Sequence, residues 1–135
     1  MREALNTADL WLFLPVGYLV TIAVETPVLF LLLSPRHNAR RRLFAGLWLT
    51  ACTYPVVVLV LPVFFSGASR AAYLAVAETF APAAECLLFW LAFGEKGSLA
   101  RRSTWRDFAA ITAANVLSFL AGEVLTAYGW FGLFG

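Results

Sequence analysis

Charge is what this sequence has least of. Asp, Glu, Lys and Arg together make up 13% of the 135 residues, whereas 61% are hydrophobic. A soluble domain of this length buries only about 60–70% of its surface, so it could not hide so much apolar surface from water. The composition therefore excludes an ordinary soluble domain and indicates that lipid is the solvent. We expect the lipid bilayer to surround the chain, and we expect the chain to bind no nucleic acid.

The residues and motifs of familiar catalytic sites are also missing. The two cysteines, Cys52 and Cys86, lie inside apolar runs, which excludes a disulfide framework and a CxxC redox motif. There is no HExxH and no Gly-x-Ser-x-Gly, and the single histidine, His37, lies in a basic loop, where a solvated role is expected. No catalytic residue is predicted, and an enzyme is the least favoured function, although a carboxylate pair could do acid–base chemistry on a lipid or quinone.

Four long apolar runs organise the chain. They cover residues 10–33, 43–65, 71–94 and 108–131. Each has at least about 20 residues, which at roughly 1.5 Å per residue spans a hydrocarbon core of about 30 Å. The first run is too long for a signal-peptide core, and no cleavage site follows it, so we expect it to be retained. The sequence predicts an all-α membrane protein, in which residues 1–135 form one antiparallel bundle of four transmembrane helices.

Basic residues predict the orientation of this bundle. Eight of the ten lie between runs one and two or between runs three and four: Arg36, Arg40, Arg41, Arg42, Lys96, Arg101, Arg102 and Arg106. Arg2 and Arg70 lie on the other side. Short loops rich in Lys and Arg stay in the cytoplasm. We expect a multi-pass protein of the inner (plasma) membrane, with both termini outside and the basic loops touching anionic headgroups. Thr104 and Asp107 resemble a capping box that starts the fourth helix.

The two halves of the chain resemble each other weakly. Glu25 of the first run precedes Thr50-x-x-Thr53, and Glu85 of the third precedes Asn115-x-x-Ser118. A tandem two-helix repeat and a chance similarity both remain open. If the repeat is real, Glu25 and Glu85 face each other across its axis, with Thr53 and Ser118 beside them.

Four glutamates lie inside the predicted spans: Glu25, Glu78, Glu85 and Glu123. No Lys, Arg or His falls within a predicted span to pair with them. A charged carboxylate near the bilayer centre costs at least a few kcal/mol, so such acids usually serve a function. Protons, a bound cation, hydroxyl donors or a partner protein could offset that cost. The alternative for Glu78 and Glu123 is that both extend towards the outer interface.

Hydroxyl, amide and phenol groups complete the predicted site. Asn115 and Ser118 belong to a polar stripe on the fourth helix, which should face the bundle interior. Thr53 and Tyr54 lie beside Pro55, whose missing N–H frees a backbone carbonyl. The ion- or proton-binding candidates are Glu25, Glu78, Glu85, Glu123, Asn115, Thr53, Ser118 and Tyr54.

Several short motifs resemble those of short bacterial four-span membrane proteins of uncharacterised function. The matching pieces are Glu25-Thr26-Pro27, Thr53-Tyr54-Pro55, the Glu78 and Glu85 pair, and Asn115-x-x-Ser118. That pattern is expected to carry a histidine where this chain has Tyr54, so the tyrosine argues against an imidazole-based metal site. The resemblance implies a fold and no activity.

Two functions follow from this pattern. The first is proton- or cation-linked transport or binding at the carboxylates, with a bound cation of unknown identity and a homodimer to complete the pathway. The second is an accessory subunit of a larger membrane complex, in which polar faces pack against helices, pigments or quinones. Co-purification with stoichiometric partners would distinguish the second from the first.

Overall fold

A computed structural model describes residues 7–94 and 97–129, and within those ranges every regular element is helical. The elements are α1 Thr7–Leu32, α2 Ala39–Pro55, a π-helical turn Val56–Val60, α3 Leu61–Phe64, α4 Arg70–Phe93, a 3-10 turn Ser98–Ala100 and α5 Arg102–Ala127. Four stretches are long and apolar enough to cross a membrane: Leu14–Leu32, Ala39–Phe64, Arg70–Phe93 and Arg102–Ala127. The predicted all-helical class with four helices of spanning length is confirmed.

All four long helices begin before their apolar runs do, α2 by four residues and α5 by six. α2 begins at Ala39 because Asn38 caps it, its side-chain oxygen accepting from the Arg41 N–H at 2.8 Å. α5 begins at Arg102, after Arg101 as the N-cap residue. The predicted capping box is therefore wrong, and Asp107 makes other contacts. Residues 130–131 of the predicted fourth span, together with Arg2 and Lys96, lie outside the described residues.

A π-helical turn carries the second helix past its proline. Pro55 has no N–H to donate to the carbonyl four residues earlier. The next five residues, Val56–Val60, are π-helical, and α3 then continues to Phe64. Such single π turns let a helix absorb a local irregularity without ending. The second membrane-length helix is thus continuous from Ala39 to Phe64.

The helices form a ring. α1 packs against α2 and α5, and α4 packs against the same two helices. α1 and α4 therefore lie diagonally opposite each other. Side chains that point inwards from these two helices can meet at the centre of the bundle. We call the end of the bundle where residues 33–38 and 94–101 connect the helices the basic end. The end where residues 65–69 connect α3 to α4 is the opposite end.

An apolar core lies in the half nearer the basic end, beside the buried polar residues Ser34, His37, Thr104 and Asp107. The core consists of Leu29, Leu33, Ala45, Leu49, Phe89, Ala110, Ile111 and Ala114. Large apolar side chains also cover the outward faces, as Leu31, Phe64 and Leu91 illustrate. This distribution suits a bundle whose helices have the length and hydropathy to lie in lipid. The other half contains a cavity that acidic and hydroxyl side chains line together with apolar ones.

Candidate functional site

A cavity of about 230 Å³ lies between the four long helices, beyond the apolar core. Its lining includes every residue of the predicted site: Glu25, Thr53, Tyr54, Glu78, Glu85, Asn115, Ser118 and Glu123. The structure therefore brings together residues that the sequence distributes over four separate helices. The functional role of these residues stays a prediction.

Glu25 reaches the cavity from α1 and is 2% exposed. Thr50 Oγ of α2 lies 2.8 Å from its Oε2, and Ser118 Oγ of α5 lies 2.7 Å from its Oε1. Both carboxyl oxygens thus have a hydroxyl partner, one from each helix that packs on α1. Thr50 belongs to the repeat motif but not to the predicted site, and this contact adds it.

Glu85 reaches the cavity from the diagonal helix, α4, and is also 2% exposed. Thr53 Oγ lies 3.1 Å from its Oε2. The Asn115 side chain lies beside the same carboxyl, although its Nδ2 donates to the Ile111 carbonyl at 2.9 Å. Glu85 Oε1 is buried and has no donor in hydrogen-bonding geometry. This oxygen is the one unsatisfied acceptor of the carboxyl pair among the described residues.

Each of the two glutamates contacts a polar residue from the opposite half of the chain. Glu25 meets the first polar residue of its own half, Thr50, and the second polar residue of the other half, Ser118. Glu85 meets the second polar residue of the first half, Thr53, while Asn115, the first polar residue of its own half, lines the same cavity. A twofold axis between the halves would bring Thr53 and Ser118 to opposite glutamates in this way. The tandem repeat stays a hypothesis.

Each hydroxyl of the network has a second acceptor on its own helix. Thr50 Oγ lies 3.0 Å from the Gly46 carbonyl, Thr53 Oγ 3.1 Å from the Leu49 carbonyl, and Ser118 Oγ 3.0 Å from the Asn115 carbonyl. A hydroxyl has one hydrogen, an ionised carboxylate only accepts, and a protonated carboxyl also donates. When a carboxyl takes up a proton, the hydroxyl can rotate its hydrogen to the backbone. The network therefore accommodates either state without moving heavy atoms.

Positive charge is scarce around the pair. Arg70 is the only basic residue among those that line the cavity. Burial disfavours a carboxylate anion, and a second carboxylate nearby disfavours it further. Glu25 and Glu85 both line this cavity. Hydroxyl donors offset part of the cost of burying the two acids, and a proton or a cation would offset more of it.

Glu123 has a basic partner, which corrects the expectation that no basic side chain meets the four glutamates. Arg70 Nη2 lies 2.5 Å from Glu123 Oε1, and the two side chains are 59% and 35% exposed. Arg70 is the first residue of α4, and its long side chain reaches across to α5. Glu78 is partly buried and lines the cavity about two turns from Glu85, on the side of the opposite end.

Aromatic side chains complete the wall. Tyr54 lies beside Thr21, and its ring centroid is 6.4 Å from that of Tyr18. Tyr73 donates from its hydroxyl to the Val57 carbonyl at 2.7 Å. Tyr73 and Thr21 were not predicted from the sequence. Residue spacing alone does not identify them, because the sequence does not reveal how each helix is rotated about its axis.

A second polar cluster lies at the basic end, and it overturns the expected solvated role of His37. His37 is 2% exposed, and its Nε2 lies 2.8 Å from Asp107 Oδ2. Ser34 donates to the same carboxylate from its backbone N–H at 2.7 Å and from its Oγ at 3.2 Å. The expectation fails because the first loop folds back against α5 instead of extending into solvent.

Hydrogen-bond geometry indicates which ring nitrogen of His37 accepts and which one donates. Arg41 Nη1 lies 3.2 Å from His37 Nδ1, and a guanidinium can only donate. Nδ1 must then accept, so the ring proton is on Nε2 and points at Asp107. Ser34 contacts Asp107 rather than the ring, and the cluster is therefore not a nucleophile–base pair. We call Ser34, His37 and Asp107 the loop lock, since they fasten the first loop to α5.

The described residues contain no group of three His, Cys, Asp or Glu side chains arranged to hold a metal ion. Comparisons of the chain with protein-family models, with curated proteins and with solved structures give no match. The resemblance to short bacterial four-span proteins therefore stays a prediction, and the functional argument depends on the geometry of the cavity.

Proposed function

We propose that this chain is a membrane protein whose Glu25–Glu85 pair holds an exchangeable proton or monovalent cation and serves proton- or cation-linked binding and transport. The observation that supports this most is the placement of two carboxyls, each 2% exposed, on diagonal helices. Each has its own hydroxyl partners, Thr50 and Ser118 at Glu25 and Thr53 at Glu85, and these suit both protonation states. An acid with a purely structural role would not need hydroxyl donors that can also turn to backbone acceptors.

A proton fits this site better than a metal ion. Divalent metals favour several oxygen ligands in a defined geometry. Among the described residues, no third His, Cys, Asp or Glu joins the two carboxyls in an arrangement that could hold a metal ion. A proton, in contrast, needs one carboxyl oxygen and a neighbouring acceptor.

The proposal includes an orientation. The helices would cross the plasma membrane in antiparallel order, with the basic end in the cytoplasm and both termini outside. Seven of the eight basic residues that the structure describes belong to the loops and helix starts of that end. The cavity would then lie in the half of the bundle nearer the outer surface, while the apolar core separates it from the cytoplasm. A homodimer, or a movement of the helices, would complete a transport pathway.

Carboxyl-to-amide variants test the pair. In Glu25→Gln and Glu85→Gln the amide keeps the shape of the side chain but cannot take up a proton, so we expect each to abolish exchange at the site. The measurements are infrared difference spectra of the carboxyl band during a pH change, and proton uptake into liposomes that contain the purified protein. Glu123→Gln is the matched control, because that acid is already paired with Arg70.

Proton uptake and a carboxyl band that are unchanged in both variants would contradict the proposal. Isolation with a stoichiometric foreign subunit, combined with such unchanged spectra, would instead support the accessory-subunit function.

A further inference from the structure

We propose that the cavity binds a small organic cation, a primary ammonium group on a short apolar body, and that Glu85 Oε1 is its anchor. The inference deepens the proposed function, since it assumes that the carboxyl pair also holds an exchangeable proton. Volume, wall chemistry, charge and one unsatisfied oxygen support it.

The volume is larger than a bare ion or a proton requires. At roughly 30 Å³ per water molecule in the liquid, the cavity of about 230 Å³ has the volume of about eight waters. A proton occupies no space of its own. The space therefore fits a compact organic molecule better than an inorganic ion.

The wall is apolar apart from its acids, its hydroxyls, the Asn115 amide and the Arg70 guanidinium. Val20, Val58 and Leu74 contribute aliphatic surface, and Tyr54 and Tyr73 contribute aromatic rings. Small-molecule sites commonly combine apolar walls with a few polar groups that fix orientation. Aromatic rings also attract ammonium groups through the negative charge on their faces. Such a wall suits a ligand with a hydrocarbon body and one charged end.

The charges select a cation. Glu25, Glu78 and Glu85 line the cavity, and the only basic residue of the lining, Arg70, is paired with Glu123. An anionic ligand would face three acids without a neutralising partner. A cation would supply the positive charge that the buried pair lacks.

One oxygen distinguishes the anchor from its partner. Each carboxyl oxygen of Glu25 has a hydroxyl partner, whereas Glu85 Oε1 is buried without a donor. A buried acceptor without a donor is unfavourable, and an ammonium N–H would satisfy it. The ligand should therefore contact Glu85 directly, while Glu25 stays within the hydroxyl network.

The arriving cation would displace the proton of the pair. The site holds one positive charge as a proton before binding and one as an ammonium afterwards, so each bound cation releases one proton to solvent. Binding should accordingly weaken as the pH falls, because protons then compete for the same acids.

The test uses the purified full-length protein in detergent micelles. n-Butylammonium chloride is titrated by calorimetry, and a pH indicator records released protons. n-Butanol and sodium chloride are the comparison probes, since the first lacks the charge and the second lacks the body. We expect saturable binding of n-butylammonium alone, with about one proton released per cation. Glu85→Gln should weaken that binding at least tenfold.

Gly122→Leu provides a second, independent variant. A Cβ built at Gly122 meets nothing within 4 Å, and the residue lines the cavity, so a leucine there would fill the space without altering an acid. It should weaken n-butylammonium binding at least tenfold and leave proton exchange at the pair intact. Thr79→Val, on an exposed part of α4, is the matched control and should bind as the unaltered protein does.

Three outcomes would overturn the inference: no saturable binding of n-butylammonium, equal binding of n-butanol or sodium, or unchanged binding in both Glu85→Gln and Gly122→Leu. If proton exchange at the pair persists in any of these cases, the proposed function stands and only the organic-cation site fails. If the unaltered protein shows neither proton exchange nor binding, both fail.

Discussion

Asp107 has hydrogen-bond partners that its local sequence does not predict. Its carboxylate accepts from the Ser34 N–H, the Ser34 hydroxyl and His37 Nε2, while Arg41 holds the other side of the ring. A carboxylate can accept from all of these donors at once because it has no hydrogen of its own. Replacing one oxygen by an NH₂ group would place a donor against another donor.

We therefore expect Asp107→Asn to destabilise the bundle by about 2 kcal/mol, since a buried hydrogen-bonding group left without a partner costs ~1–3 kcal/mol. The histidine cannot adapt by moving its proton to Nδ1, because Arg41 Nη1 already donates there. The measurement is the midpoint of denaturant-induced unfolding in detergent micelles.

Thr112→Ala on the same helix is the matched control, because Thr112 is exposed and its hydroxyl donates to the Phe108 carbonyl of its own helix. Equal midpoints for the two variants would mean that the loop lock does not contribute to stability.

At the scale of the helices, Gly46 sets how closely α1 and α2 approach. A Cβ at this position would lie 2.9 Å from Thr26 Cα, which is closer than two carbon atoms can pack. Thr50 follows one turn later and donates to Glu25 across the same contact. The glycine thus brings the hydroxyl of one helix within reach of the carboxyl of the other.

We expect Gly46→Ala to destabilise the protein by about 1–3 kcal/mol, the range typical of overpacking. Because the two helices must separate, the Thr50–Glu25 hydrogen bond should lengthen as well. Unfolding midpoints report the first effect, and the infrared carboxyl band reports the second.

Gly122→Ala controls for the intrinsic effect of alanine in a helix. Its Cβ meets nothing within 4 Å, and alanine favours helix over glycine by about 1 kcal/mol. This variant should be as stable as the unaltered protein or slightly more so. A Gly46→Ala protein of equal stability would show that the close approach is not required.

At the scale of the whole molecule, the two ends differ in charge. The helices and loops of the basic end carry seven of the eight basic residues that the structure describes, while the cavity and its acids lie nearer the opposite end. Arg42 contributes to this positive charge, and its guanidinium is held in place by hydrogen bonds that it donates to the carbonyls of Phe30, Ser34 and His37. The asymmetry predicts which end faces the cytoplasm.

Single cysteines test this orientation in a background that carries Cys52→Ser and Cys86→Ala. Gly67→Cys at the opposite end should react with a membrane-impermeant maleimide on intact cells. Leu99→Cys at the basic end should react only after the membrane is permeabilised. Both positions are exposed. Reaction in the reverse order would contradict the proposed topology.

Much of this protein follows from local sequence. Apolar runs of about 20 residues can only be satisfied in lipid as helices, and the four glutamates stand out because charge is so rare within those runs. All eight predicted site residues line one cavity. Helical periodicity places Glu78 and Glu85 on one face of α4, and Asn115 and Ser118 on one face of α5.

The partners across helices depended on the tertiary structure. His37 and Asp107 are 70 positions apart, and Arg70 and Glu123 are 53 apart. Periodicity defines the face of one helix but not the rotation or depth at which two helices meet. That is decided by packing, by the close approach at Gly46 and by the fold of the first loop. For the same reason, only the assembled bundle distinguishes Glu25, with both oxygens satisfied, from Glu85, with one oxygen free.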